Sequence, residues 1–164
     1  MLGFQVPLYF SRGKGYIIKT MDWLYFFILL SVIIFFSVIL SIQDIRHKSV
    51  SLNLLWLSII FALLCQIIFL GKKSLIFILT ALGTFLLYFI TRIITKKKLG
   101  MADLFFGIFQ GLFLLPKFVP ICIWLEVILA FCMNIKSRKK NFAFIPYMAF
   151  ALIISFILQK FFHI

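Results

Sequence analysis

The hydrophobic pattern divides the chain into six apolar runs separated by short polar or basic stretches. The runs cover residues 23–42, 52–70, 74–95, 101–115, 118–133 and 142–162. A helix needs about 20 apolar residues to cross the ~30 Å hydrocarbon core of a bilayer. Four of the runs have that length, whereas the pair 101–115 and 118–133 is shorter. The pattern therefore predicts an all-α integral membrane protein, built as a bundle of helices.

The two shorter runs are separated by Pro116, Lys117 and Pro120, so they could form two short helices or one long kinked helix. Basic clusters at 96–98 and 136–140 flank this pair. Clusters of this kind usually stay on the cytoplasmic side of a membrane. If both do, an even number of spans separates them, which favours two short helices and about six transmembrane helices in total.

Basic residues concentrate in the loops 43–51, 96–100 and 134–141, which we therefore assign to the cytoplasm, with the N-terminus outside. Residues 1–21 contain neither the apolar core of a signal peptide nor a helical period. The segment ends in Met21, which resembles a natural translation start. We interpret 1–21 as an N-terminal extension and 22–164 as a single membrane domain.

Composition changes the list of expected partners. The chain of 164 residues is 65% hydrophobic and has a formal net charge of +13. The basic residues stand in short clusters between apolar runs, so we expect contact with anionic membrane lipids and no nucleic-acid binding. The cysteines Cys65, Cys122 and Cys132 lie inside apolar runs without a CxxC pair, which predicts core side chains and no metal site.

Only four carboxylates are available for chemistry: Asp22, Asp44, Asp103 and Glu126. The topology puts Asp44 and Asp103 at the same cytoplasmic face. Two carboxyl groups held close together cannot both ionise easily, so one can act as an acid and one as a base on a shared water. Gly100 would let the backbone approach such a site closely. The competing interpretation is a pair of interfacial aspartates solvated by their basic neighbours.

Three short segments suggest a family. Residues 44–53 contain Asp-Ile-Arg followed by Val-Ser and then Asn; residues 98–103 read Lys-Leu-Gly-Met-Ala-Asp; residues 144–149 read Phe-Ile-Pro-Tyr-Met-Ala. In this order the chain resembles the type IV prepilin leader peptidases, which are membrane aspartic proteases of the GxGD class. Gly107 and Gly111 also fall where that family has a glycine-spaced helix.

The resemblance implies a six-helix GxGD-type fold in which Asp44 and Asp103 are the catalytic pair, with water as nucleophile and no metal or organic cofactor. It implies cleavage of basic leader peptides from prepilin-like substrates, just before their hydrophobic helix. It further implies a bacterial cytoplasmic (inner) membrane location, an active site facing the cytoplasm, and the short, peptidase-only form. The supporting motif residues would be Gly100, Ala102, Arg46 and Pro146.

The chain departs from the family pattern at several positions. Ala102 replaces the second glycine, Phe105 replaces a lysine, and Ile145 replaces a glycine. Two alternatives therefore stay open. One is a catalytically silent relative that binds pilin-like helices or aids secretion. The other is a small proton-coupled transporter that uses Asp44, Asp103 and Glu126 as a relay, although the inverted repeats typical of transporters are not found. For Glu126, a structural role is favoured, protonated in the core or paired with Arg92.

Overall fold

The computed structural model describes residues 23–96, 99–137 and 143–162. The predicted N-terminal extension and the basic positions 97–98 and 138–140 lie outside these ranges. Within them the chain forms six α-helices and one 3-10 turn. They are α1 (Trp23–His47), α2 (Leu52–Leu70), the turn Gly71–Lys73, α3 (Ser74–Ile94), α4 (Met101–Gly111), α5 (Val119–Ser137) and α6 (Ile145–Phe162).

Each predicted apolar run corresponds to one of these helices. The two short runs form separate helices, α4 and α5, joined by a turn at 112–118. The prediction of two helices in place of one kinked helix is therefore confirmed. α1 continues to His47, five residues beyond its apolar run, so that Asp44 lies inside the helix.

Three helical segments are long and apolar enough to cross a membrane: Tyr25–His47, Leu52–Ile94 and Ile145–Phe162. The second contains α2, the 3-10 turn and α3. Val119–Cys132 is apolar but shorter. α4, with 11 residues, is only about 16 Å long, roughly half the hydrocarbon thickness. The described residues thus indicate a helical membrane protein, while the number of six spans stays a prediction.

The outward-facing side chains fit a lipid environment. Large apolar groups are exposed on several helices, including Phe27, Leu57, Leu79, Trp124 and Phe131. Water would make such a surface costly, because burial of apolar area is the main force that holds soluble proteins together. A bilayer removes that cost. The interior is also apolar and is rich in fully buried phenylalanines: Phe77, Phe106, Phe109, Phe113 and Phe156.

α4 lies at the centre of the bundle and packs against α2, α3 and α6. Its closest approach is to α3, at the pair Gly107 and Gly111. A Cβ atom at Gly111 would lie 2.5 Å from Thr84 Oγ1 and 2.7 Å from the Ala81 nitrogen. The Thr84 hydroxyl also contacts the Gly107 carbonyl oxygen, at 2.8 Å. Small residues of this spacing let two helix backbones approach closely in membranes.

The turn that follows α4 is buried, and two glutamines bind its backbone. Gln66 donates from Nε2 to the Leu112 carbonyl oxygen at 2.6 Å. Gln159 accepts from the Leu115 amide at 2.8 Å and contacts the Phe113 carbonyl oxygen at 3.4 Å. Non-helical backbone inside a membrane protein needs such partners, because lipid supplies none.

Candidate active site

Asp44 lies in the last turn of α1, where the chain leaves the helix. Lys48 has a positive φ of 52°, a conformation that ends the helix, and its amide binds the Asp44 carbonyl oxygen at 2.9 Å. The Asp44 side chain is buried, with 8% exposure. Its Oδ2 accepts the backbone N–H of Ile145 at 3.1 Å. Asp44 therefore ties the end of α1 to the first residue of α6.

The start of α6 suits this contact. The first amides of a helix have no partner inside the helix. The Ile145 amide binds Asp44, and Pro146 has no N–H to satisfy. The next amide, of Tyr147, binds the Phe144 carbonyl oxygen at 3.1 Å. Pro146 thus removes one unpaired donor from a region with few polar partners, as proline commonly does in a first helical turn.

Asp103 lies in the first turn of α4, and Gly100 precedes that helix. The Asp103 Oδ2 accepts the Gly100 N–H at 2.9 Å. A Cβ atom at position 100 would lie only 3.0 Å from the same oxygen. Gly100 has an ordinary φ of −66°, so glycine is needed here for space and not for an unusual backbone conformation. The carboxylate at the helix N-terminus also interacts favourably with the helix dipole.

Asp44 and Asp103 line the same cavity, whose volume is about 730 Å³. The cavity wall is formed by the end of α1, the start of α2, the end of α3, the start of α4 and Phe144. Volumes of about 300–1,000 Å³ are usual for ligand sites. The cavity is thus within the size range of sites that hold a small molecule or a short peptide segment.

The remaining predicted motif residues divide into two groups. Gly100 and Ala102 line the cavity beside Asp103. Arg46 is exposed at the end of α1 and is not among the described residues that line the cavity. Pro146 does not line it either, and lies in the first turn of α6, next to the Ile145 amide that binds Asp44. Within the described ranges, no group of three or more His, Cys, Asp or Glu side chains could hold a metal ion.

Two threonines of α3 also line the cavity, and sequence reasoning did not identify them. Thr91 donates its hydroxyl to the Leu87 carbonyl oxygen, and Thr95 donates to that of Thr91, each at 2.8 Å. Both hydroxyl protons are therefore used within α3, and each oxygen can still accept a hydrogen bond. The only sequence signal was their spacing of four residues, which places them on one helix face.

Glu126 belongs to a different cluster, deeper in the bundle. It is 1% exposed and binds the Tyr88 hydroxyl, the Gln110 side-chain amide and, at 3.4 Å, the Cys122 thiol. Arg92 is not among these hydrogen-bond partners. Gln110 Nε2 also contacts the Met148 carbonyl oxygen, at 3.1 Å. We call Tyr88, Gln110, Cys122 and Glu126 the buried polar cluster. Tyr88 and Gln110 were not identified from the sequence.

The structure places two carboxyl groups on the wall of one cavity, and a carboxyl group can accept or donate a proton. The chain matches no protein-family model, no curated protein and no solved structure. The similarity to prepilin peptidases therefore rests on the three short motifs.

Proposed function

We propose that the protein is a membrane aspartic endopeptidase that cleaves prepilin-like substrates. One observation carries the proposal. Asp44 and Asp103 come from helices distant in sequence, yet they line one cavity, and each carboxyl accepts a backbone N–H at 3.1 Å or less. Both aspartates are only 8% exposed, which argues against interfacial side chains solvated by their basic neighbours. The Asp103–Gly100 bond is at the same time a helix cap.

The proposed chemistry needs one proton on the pair. The ionised carboxylate takes a proton from water, which attacks the peptide carbonyl, while the protonated carboxyl donates its proton to the carbonyl oxygen. As the C–N bond then breaks, the first carboxyl passes the proton from water to the leaving amine, and the second takes back the hydroxyl proton as the carbonyl re-forms. The amide donors on Asp44 and Asp103 hold each Oδ2 in place. Such fixed orientation is one of the larger contributions to enzyme rates. The pair would require no metal or organic cofactor.

The substrate class follows from the motif resemblance. We expect a peptide with a basic leader followed by a hydrophobic helix, cleaved at the cytoplasmic face of a bacterial inner membrane. The apolar outer surface fits a substrate that remains in the bilayer. Anionic lipid headgroups would neutralise the basic loops. A silent relative would also bind such helices but would not cleave them, so the decisive test is catalysis.

The test is cleavage of a model prepilin by the full chain in detergent. Asp44→Asn and Asp103→Asn should each abolish cleavage, and the double variant should be no worse than either single variant, because the two groups act as a unit. Asp22→Asn makes the same chemical change outside the motifs and should retain activity. Expression and thermal stability are measured for each variant.

Three results would contradict the proposal. Cleavage that survives in Asp44→Asn would show that the pair is not the catalytic unit. Binding of prepilin without cleavage by the wild-type chain would favour the silent relative. Proton uptake into vesicles that depends on Glu126 as well as on both aspartates would favour the transporter.

A further inference from the structure

We propose that Gln110 is a positioning residue for the aspartate pair, because it fixes α4, which carries Asp103, against α6, whose first amide binds Asp44. Gln110 lies seven residues after Asp103, two helical turns along α4. Met148 lies three residues after Ile145 on α6. The Gln110–Met148 contact therefore joins the two helices about two turns from Asp103 and about one turn from Ile145.

The contacts of Gln110 span four helices. Its Nε2 binds Glu126 on α5 and the Met148 carbonyl oxygen on α6, and its Oε1 lies 3.2 Å from the Tyr88 hydroxyl on α3. The side chain is 2% exposed. Because a buried amide that loses its partners is costly, α4 cannot shift or rotate freely without breaking these bonds.

Glu126 provides the acceptor that holds the Gln110 amide in one orientation. Its two oxygens receive three donors: Gln110 Nε2, the Cys122 thiol and the Tyr88 hydroxyl. A buried carboxyl needs several such partners. The Tyr88 ring also lies against Gly107, where a Cβ atom would be 2.8 Å from Tyr88 Cε2. Rotation of α4 would therefore break the hydrogen bonds of Gln110 and cause steric clashes with the Tyr88 ring.

The role differs from general stabilisation in its kinetic consequence. A displacement of about 1 Å between reacting groups can lower a catalytic rate roughly 100-fold without changing substrate binding. The kinetic part of this inference rests on the proposed function, whereas its geometric part does not. Two independent measurements are therefore needed.

The kinetic measurement compares Gln110→Met with Gln159→Met. Gln159 is similarly buried and likewise uses both ends of its amide, but its partners are backbone groups of the turn after α4, and it does not line the cavity. We expect Gln110→Met to lower kcat roughly 10- to 100-fold with little change in KM. Gln159→Met should lose stability while retaining kcat. Tyr88→Phe, a smaller change, should lower kcat in the same direction.

The geometric measurement uses Asp44→Cys and Asp103→Cys in a chain carrying Cys65→Ala, Cys122→Ser and Cys132→Ala. Bifunctional thiol reagents of graded length report the spacing between the two positions. Gln110→Met should reduce cross-linking by the shortest reagent that works in the parent, and Gln159→Met should not. Unchanged cross-linking in both Gln110→Met and Tyr88→Phe, or equal losses in Gln110→Met and Gln159→Met, would overturn the inference. If no variant cleaves prepilin, the cross-linking result alone decides the positioning role.

Discussion

Gly100 has little free space beside the Asp103 carboxyl group. An alanine there would place its methyl 3.0 Å from Asp103 Oδ2, while the backbone φ of −66° suits any residue. The methyl should therefore push the carboxylate without distorting the chain. We expect Gly100→Ala to lower kcat roughly tenfold, since small displacements of a reacting group are costly. The measurement is prepilin cleavage at saturating substrate.

Ala102→Gly is the matched control, because it lies in the same segment and introduces the second glycine of the GxGD pattern that the segment resembles. It should keep kcat near wild type and lower stability by about 0.5–1 kcal/mol, the usual cost of glycine in a helix. Equal activity in Gly100→Ala and wild type would mean that the contact between residue 100 and Asp103 has no catalytic importance.

The sequence was informative about the aspartates and silent about their supports. Acidic residues are rare in this chain, so their cost in a membrane made Asp44 and Asp103 candidates, and the motif resemblance selected them as a pair. Gln110 and Tyr88 gave no such signal. A polar side chain inside an apolar run becomes informative only when its partners are known, and these come from three other helices. Glu126 was correctly expected to be buried, but its partner was not Arg92.

The α3–α4 contact is the tightest helix pair and depends on Gly111. Alanine at that position would bring a methyl to 2.5 Å from Thr84 Oγ1 and 2.7 Å from the Ala81 backbone nitrogen. The backbone atom cannot move aside easily, so the helices must separate. We expect Gly111→Ala to destabilise the protein by about 1–3 kcal/mol, the usual cost of overpacking. Unfolding by SDS in mixed micelles measures the change.

Gly83 on α3 supplies the control, because no atom outside its own helix environment lies within 4 Å of an added Cβ. Gly83→Ala should be neutral or should stabilise the protein by up to about 1 kcal/mol through helix propensity. A similar loss in both variants would show that glycine matters for the helices themselves and not for their contact.

At the scale of the helices, apolar run length predicted the elements well because lipid-facing and buried positions are both apolar. Each of the six described helices begins within three residues of the first residue of its predicted run. The helix ends were harder. α1 extends through Gln43 and Asp44, whose polarity stopped the run, and it ends only where Lys48 adopts a positive φ. α4 ends at Gly111 because the buried turn finds backbone partners in Gln66 and Gln159, which the sequence could not reveal.

For the whole molecule, the cavity brings two predicted loops to one end of the bundle. Lys48 and Ser49 come from the 43–51 loop, and Leu99 and Gly100 from the 96–100 loop. The sequence predicted this common end from basic charge alone. The charge pattern could not give the depth of the cavity or the tilt of α4, since these depend on packing between helices. The assignment of this end of the bundle to the cytoplasm stays a prediction from the positive-inside rule.

The orientation can be tested with single cysteines in the chain that carries Cys65→Ala, Cys122→Ser and Cys132→Ala. Lys97→Cys and Lys139→Cys should react with an impermeant maleimide only from the cytoplasmic side. Lys72→Cys is the matched control, because the turn Gly71–Lys73 joins the ends of α2 and α3 farthest from the cavity. Lys72→Cys should therefore react only from outside. Labelling of positions 97 and 139 from opposite sides would give an odd number of spans between them. Labelling of both positions from outside would mean that the aspartate cavity faces away from the cytoplasm. A basic leader stays on the cytoplasmic side, so the proposed peptidase could not reach its substrate.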